Sequence, residues 1–234
     1  MSKKDDLRKQ RDGTVINKIS KQQEKKFGEV LDQLEIKLRT EFGLKIHHEK
    51  KWMLKDIVAH LESIFPDIQF FNHFPTSYMS PDGGIHTIED KSGKRYPILI
   101  SEVKNQGTND VRAEEGKAKQ SKGNAIERLG KNVIGFRTAL LGESIFPFVC
   151  FGYGCDFEEN SSILDRVVTI AMFGPLNTIS VVNQGEGGVF NRGSFFFRNE
   201  KWSEPEMLKV LHEVAKRSIH YYFAKYGDDF FEKS

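Results

Sequence analysis

The apolar positions of this 234-residue chain change period several times, and each change marks an element. Phe27, Val30, Leu31, Leu34 and Leu38 recur at steps of three and four, which predicts an amphipathic helix ended by Gly43. Leu54, Ile57, Val58, Leu61 and Phe65 predict a second helix, stopped by Pro66. Residues 68–74 read as a strand. Residues 85–88 and 96–103 read as two strands joined in a hairpin by the polar turn EDKSGK. Helical spacing returns at Ile126, Leu129, Val133, Phe136 and Leu140, so a helix starts near Asn124. Residues 146–153 form a short aromatic-rich strand pattern and 195–197 another; 161–173 fits helix and strand equally, and 185–188 reads as a loop. Ser203 and Glu206 have capping-box spacing ahead of a last helix carrying Leu208, Leu211, Ala215, Ile219 and Phe223 on one face. Strands interleaved with helices predict an α/β fold, a mixed central sheet flanked by helices. No internal repeat is visible and no Pro/Gly/Ser linker divides the chain, so 1–234 reads as a single domain. Residues 1–22 are polar and aperiodic and read as a flexible basic arm.

Composition narrows the class without naming it. Apolar residues at 38% and charged residues at 29% are ordinary for a soluble globular protein, and 19 phenylalanines supply a core. A net charge of +2 does not advertise a polyanion partner. The distribution is more telling: residues 1–26 carry nine Lys or Arg against four acids, and residues 112–137 carry seven against three. Such patches fit a nucleic-acid contact, and equally a solvated basic surface. Cys150 and Cys155 are too few for a disulfide framework or a structural zinc site and read as buried thiols. The polar N-terminus has no signal region, and no run approaches the roughly 18 apolar residues of a membrane span. The expectation is a soluble cytoplasmic protein without a membrane partner.

The candidate chemistry lies on the second strand of the hairpin. Side chains alternate along a strand, so Glu102 and Lys104 share a face with Ile98 and Ile100. Burying a charge is expensive unless it is paired or binds a metal. Asp82 precedes the partner strand beside Gly83 and Gly84, where the hairpin can return it next to Glu102. Two carboxylates at one spot call for a cation, and hard oxygen ligands suit Mg²⁺. A neighbouring lysine can orient a water or offset charge on a phosphoryl oxygen. Pro81-Asp82 followed after nineteen residues by Glu102-Val103-Lys104 is the PD-(D/E)XK nuclease pattern, although a strand-end Glu–Lys pair and a turn aspartate would also produce it. At GNAIER, residues 123–128, Asn124 suits an N-cap and Glu127 completes capping-box spacing. The small residues Gly123, Asn124 and Ala125 also let a helix N-terminus approach bases or phosphates, and Arg128 lies one turn in, within reach of a purine edge.

In this order and spacing, SPDGGI, SEVKNQG and GNAIER followed by Lys131-Asn132 resemble the EcoRI restriction endonuclease family, closely over 81–132 and more weakly through ESIFPFV and SSILDR to about residue 177. The resemblance implies a restriction-endonuclease-like fold and a Mg²⁺-dependent homodimer. Such a dimer cuts double-stranded DNA at a palindrome with an AATT core, leaving 5′-phosphates and four-base 5′ overhangs. By motif, Asp82, Glu102 and the Val103 carbonyl would hold the metal, Lys104 would assist the attacking water, and Gln106 would support that water or a phosphate. Gly123, Asn124, Ala125 and Arg128 would read the core, while Glu127 would orient the recognition arginines. Gln120, Ser121 and Lys122 stand where the family has small apolar residues that read the outer base pair. The ILDR motif keeps Arg166, but Thr169 replaces the family's second arginine. Loss of that bidentate grip, worth about 1–3 kcal/mol, favours RAATTY, AATT or CAATTG over strict GAATTC. The resemblance also implies a cognate DNA methyltransferase in the same bacterial or archaeal cytoplasm. A repair or junction-resolving nuclease would use the triad without needing GNAIER, and a non-catalytic DNA-binding protein would use neither carboxylate chemically. His47 and His48 read as surface groups with nothing nearby to complete a metal site, and Trp52 and Trp202 as packing anchors. The glycines of 185–188 lack a P-loop lysine, so no nucleoside triphosphate is expected.

Overall fold

The first apolar stripe becomes helix α1 (Gly13–Phe42), which buries Phe27, Val30, Leu31, Leu34 and Leu38 along one side. This computed structural model describes residues 13–70, 74–105, 113–117, 124–158, 161, 164, 175–183 and 191–234. Gly43 stops α1 with a φ of 61° and donates its N–H to the Arg39 carbonyl at 2.9 Å. The helix begins earlier than the apolar pattern predicts, so residues 13–22, assigned above to the flexible arm, are helical. Only Lys18, Lys21 and Gln22 of this segment are strong helix formers, but an established helix propagates by one backbone hydrogen bond per added residue and so extends through the weaker ones. Residues 1–12 lie outside the described residues.

Five strands form the central sheet in the order β1 (Ile46–Glu49), β4 (Ile85–Glu89), β5 (Arg95–Asn105), β6 (Phe148–Tyr153), β7 (Ser194–Arg198). The strands β2 (Trp52–Met53) and β3 (Tyr78–Met79) pair separately. Strand β4 runs antiparallel to both β1 and β5, whereas β5, β6 and β7 are parallel. The predicted hairpin is β4–β5. Its turn is closed by Asp90, whose Oδ1 accepts the N–H groups of Ser92 at 2.8 Å and Lys94 at 3.0 Å. Parallel β5 and β6 require a crossover, and α3 (Asn124–Ala139), starting at the predicted residue, lies within it. Helix α2 (Leu54–Ile64) is capped by Phe65, immediately before Pro66.

The strand assignments change at four places: the two-residue strands β2 and β3 were not predicted, and the larger changes involve β1 and residues 68–70. Strand β1 was not predicted, because Ile-His-His-Glu offers a single apolar residue; it pairs at the sheet edge through its backbone. Conversely, 68–70 and 74 form no strand, with Ile68 51% and Phe74 80% exposed, and 71–73 lie outside the described residues. Strand propensity stabilises nothing without an edge to pair with. Of the ambiguous 161–173 only Ser161 and Leu164 are described, and 185–188 lies outside.

Cores fill both faces of the sheet. On one, α1 and α4 (Glu204–Tyr226) pack Leu34, Leu38, Leu211, Val214 and Ile219 against Leu99, Val149, Phe151 and Phe196. On the other, Leu129, Val133 and Phe136 of α3 meet Ile100, Phe148, Cys150, Phe195 and Phe197. The alternation along β6 and β7 is the period-two rule at work, and each fully buried phenylalanine contributes about 1.5–3 kcal/mol. The Ser203–Glu206 capping box opens α4 as predicted. Trp202 packs against the first core and donates its Nε1–H to the Gly152 carbonyl at 3.0 Å, while Trp52 packs against the second. Both cysteines are buried and neither forms a disulfide. Among the described residues, no helix is long and apolar enough to cross a membrane.

Candidate active site

The turn that carries Asp82 is sewn onto β5. Gly83 donates its N–H to the Ser101 carbonyl at 2.9 Å, and Ser101 donates to the Gly84 carbonyl at 3.1 Å. A Cβ on Gly83 would run into Ser101 Oγ and the Phe27 ring, and Gly84 holds a φ of 72°. This close approach puts the Asp82 N–H 3.0 Å from Glu102 Oε2. Lys104 bridges the two acids, with Nζ 3.0 Å from Asp82 Oδ2 and ion-paired with Glu102 Oε1. From the facing helix, Asn132 donates its Nδ2–H to the same Glu102 Oε1 at 3.1 Å. The predicted triad therefore converges, on the sheet face covered by α3.

Burial is graded across the site: the Glu102 side chain is 1% exposed, Lys104 14% and Asp82 37%. Burial raises the pKa of Glu102, Lys104 pulls it back, and Asp82 pushes it further up, for a net rise. Burial works against the Lys104 ammonium, but Glu102 and Asp82 outweigh it and hold its pKa above the ordinary value. The Cys150 thiol, opposite Glu102 across β5–β6, is raised by burial and by the Glu102 charge. Glu102 is thus a buried carboxylate that needs a cation, with a second, more open carboxylate 3.0 Å from the same ammonium. That hard-oxygen donor set fits Mg²⁺, which takes one or two carboxylates and keeps waters for the phosphate side.

The remaining sequence-derived residues divide by location. Val103 lies between the two charged residues on β5, its side chain turned to the opposite core. Asn124, Ala125 and Glu127 occupy the first turn of α3, and Arg128 follows, exposed. Gln106, Gln120, Ser121, Lys122, Gly123, Arg166 and Thr169 lie outside the described residues. Asn132 had no assigned role in the sequence reading. The signal was its position four residues after Arg128, on the same helical face.

A second group of ligating side chains sits on the other face of the sheet. One donor atom each from Glu35, His48 and His86 lie within 4.8 Å of one another. The sequence reading gave His48 no partners, because Glu35 and His86 are distant in the chain. Strand pairing sets His48 opposite His86, with the rings stacked at 4.2 Å.

Comparison with known proteins points the same way as the triad. The family described as Restriction endonuclease EcoRI matches residues 10–231. The type II restriction enzyme RsrI of Cereibacter sphaeroides is 32% identical over 228 residues, covering 83% of this chain and 78% of that protein. The type II restriction enzyme EcoRI of Escherichia coli is 26% identical over 208 residues, covering 74% of each. With a five-stranded mixed sheet, the Asp82–Glu102–Lys104 cluster and a match over nearly its whole length, this chain belongs to the EcoRI family of type II restriction endonucleases.

Proposed function

We propose that this enzyme is Mg²⁺-dependent and cuts each strand of a palindromic duplex site with an AATT core, leaving 5′-phosphates and 5′ AATT overhangs. The observation that carries the reading is the meeting, at one buried carboxylate, of the hairpin triad and a residue of α3, the helix that starts at Asn124. Asp82, Glu102 and the Val103 carbonyl would hold the Mg²⁺, which supplies positive charge at the scissile phosphate. Lys104, kept charged by both carboxylates, orients the attacking water and offsets charge on the phosphoryl oxygens. The water oxygen bonds to phosphorus, the bond to the 3′ oxygen breaks, and the leaving 3′ oxygen takes up a proton. Gln106 supports that water or an adjacent phosphate.

Gly123, Asn124, Ala125 and Arg128 read the AATT core from the major groove, with Glu127 orienting the arginines. Arg166, Gln120 and Ser121 contribute to the flank. Thr169 in place of an arginine relaxes that flank toward RAATTY, AATT or CAATTG. A palindrome demands a two-fold reader, so the active form is a homodimer. A cognate methyltransferase protects the host DNA. The test is a digest of a sequenced, unmethylated plasmid with and without Mg²⁺, with the ends mapped. Discrete Mg²⁺-dependent fragments with 5′-AATT ends support the reading. Cutting without sequence preference would point instead to a shape-reading nuclease, and GAATTC as the sole site would overturn the relaxed flank.

A further inference from the structure

We propose that Glu35, His48 and His86 form a second metal site, for a borderline divalent ion of the zinc class, on the sheet face opposite the catalytic acids. The three donors come from α1, β1 and β4 and lie within 4.8 Å of one another. The site is separate from the triad: Glu102 turns to Asn132 of α3, whereas His86 turns to Glu35 of α1. Two imidazoles and one carboxylate are the three-ligand set that binds zinc with a fourth position open to water. Imidazole nitrogen prefers zinc, copper or nickel to magnesium, so the chemistry differs from that of the hard-oxygen site.

Each ligand is already prepared. His86 is 0% exposed, and neither of its ring nitrogens has a hydrogen-bond partner among the described residues. Such an orphaned buried polar group is costly, and a bound cation would satisfy it. His48 donates from Nε2 to the Gly83 carbonyl at 2.9 Å, which leaves the other ring nitrogen with its lone pair. A ligating histidine tied to a backbone carbonyl through its second nitrogen is the usual outer-shell arrangement. Glu35 is gripped through Oε1 by Arg39, at 3.1 Å from Nε and 2.6 Å from Nη2, and that Nη2 also donates to the Ile46 carbonyl at 2.7 Å. The carboxylate is thereby held toward β1. The imidazoles stack with 12° between their planes, and bonds of about 2.0–2.1 Å to a shared ion would tilt them apart. An ion here would staple α1 to the β1–β4 edge. Through the His48–Gly83 bond it would also stiffen the turn that carries Asp82.

The test is a Co²⁺ titration of the full-length protein without DNA, in excess Mg²⁺ to occupy the catalytic acids, read by the visible absorption of tetrahedral cobalt. We expect one Co²⁺ per chain, displaced by Zn²⁺. Glu35→Gln and His48→Asn, both at positions outside the core, should each weaken binding at least tenfold, while Asp82→Ala should leave it unchanged. Absence of a Mg²⁺-resistant Co²⁺ signal overturns the proposal. So does wild-type binding in both Glu35→Gln and His48→Asn, or loss of the signal in Asp82→Ala. None of these readouts depends on DNA cutting, so failure here and failure of the proposed cleavage are distinguishable.

Discussion

Asn132→Ala isolates the link between α3, proposed above to read the DNA, and the proposed cutting site at Glu102. The Asn132 amide sits 3.1 Å from Glu102 Oε1, on a side chain that is 1% exposed, so water cannot readily replace it. A hydrogen bond to a charged group contributes about 1.5–3 kcal/mol. Replacing a mid-helix asparagine with alanine returns about 0.5 kcal/mol of helix propensity, so the net loss of folding stability is about 1–2.5 kcal/mol. If the bond holds Glu102 in its working position, the same 1.5–3 kcal/mol appears in the barrier, a slowing of about 10- to 150-fold. The assay is single-turnover cleavage of a preformed DNA complex started with Mg²⁺, with affinity measured separately in Ca²⁺. Asn132→Asp, which sets a third carboxylate against Glu102, should be slower still. Cleavage within twofold of wild type in Asn132→Ala would refute the reasoning and show that β5 and Lys104 alone position the carboxylate.

Three further outcomes follow from the same geometry. Asp82→Ala should abolish cleavage while leaving specific DNA binding in Ca²⁺ largely intact, as read by gel shift beside a digest; loss of folding would contradict its placement in an exposed turn. Gly152→Ala sets a methyl group against the Phe197 ring and 2.8 Å from Phe157, and should cost about 1–3 kcal/mol in urea unfolding. The Arg198 guanidinium, then the Ser203 cap, hold the Glu206 pKa down at about 2 against an ordinary 4.5. A depressed carboxylate stabilises the fold above its unfolded pKa and loses that contribution as pH falls through its folded one. Urea midpoints should therefore drop between pH 4.5 and 2 by more in wild type than in Glu206→Gln, and parallel curves would count against the pairing.

The elements with a strong period were legible in sequence. The stripe of α1 and the stepping of α3 each expose one apolar face, and that face decides where the element packs. On β5 the alternation holds from Leu99 onward, but Ile98, expected on the Glu102 face with Ile100, joins Leu99 in the first core at the irregularity opposite His86 and Thr87. The triad was legible for the same reason: residues two apart on a strand must share a face, and a hairpin returns Asp82 to Glu102. What escaped prediction was either local structure made by backbone alone or proximity made by topology. Strand β1 carries one apolar residue and pairs through amides, and residues 13–22 continue α1 ahead of its predicted start. Residues 68–70 and 74 had strand composition but found no edge to join. Asn132 on Glu102, and Glu35 beside His48 and His86, join residues distant in sequence, and no periodicity encodes a meeting of that kind.

The burial of both cysteines has a practical consequence for following this enzyme at work. Cys150 is wholly enclosed, with its thiol held protonated by burial and by the neighbouring Glu102 charge, and Cys155 is 8% exposed. Alkylating dyes attack thiolates at the surface, so the natural chain is nearly silent toward them. A single cysteine placed at Ile36, 67% exposed on α1, or at Ile134, 65% exposed on α3, would then be the dominant labelling position. The protein thus offers a ready background for attaching one fluorophore per chain, without first stripping out native thiols and disturbing the core they help fill.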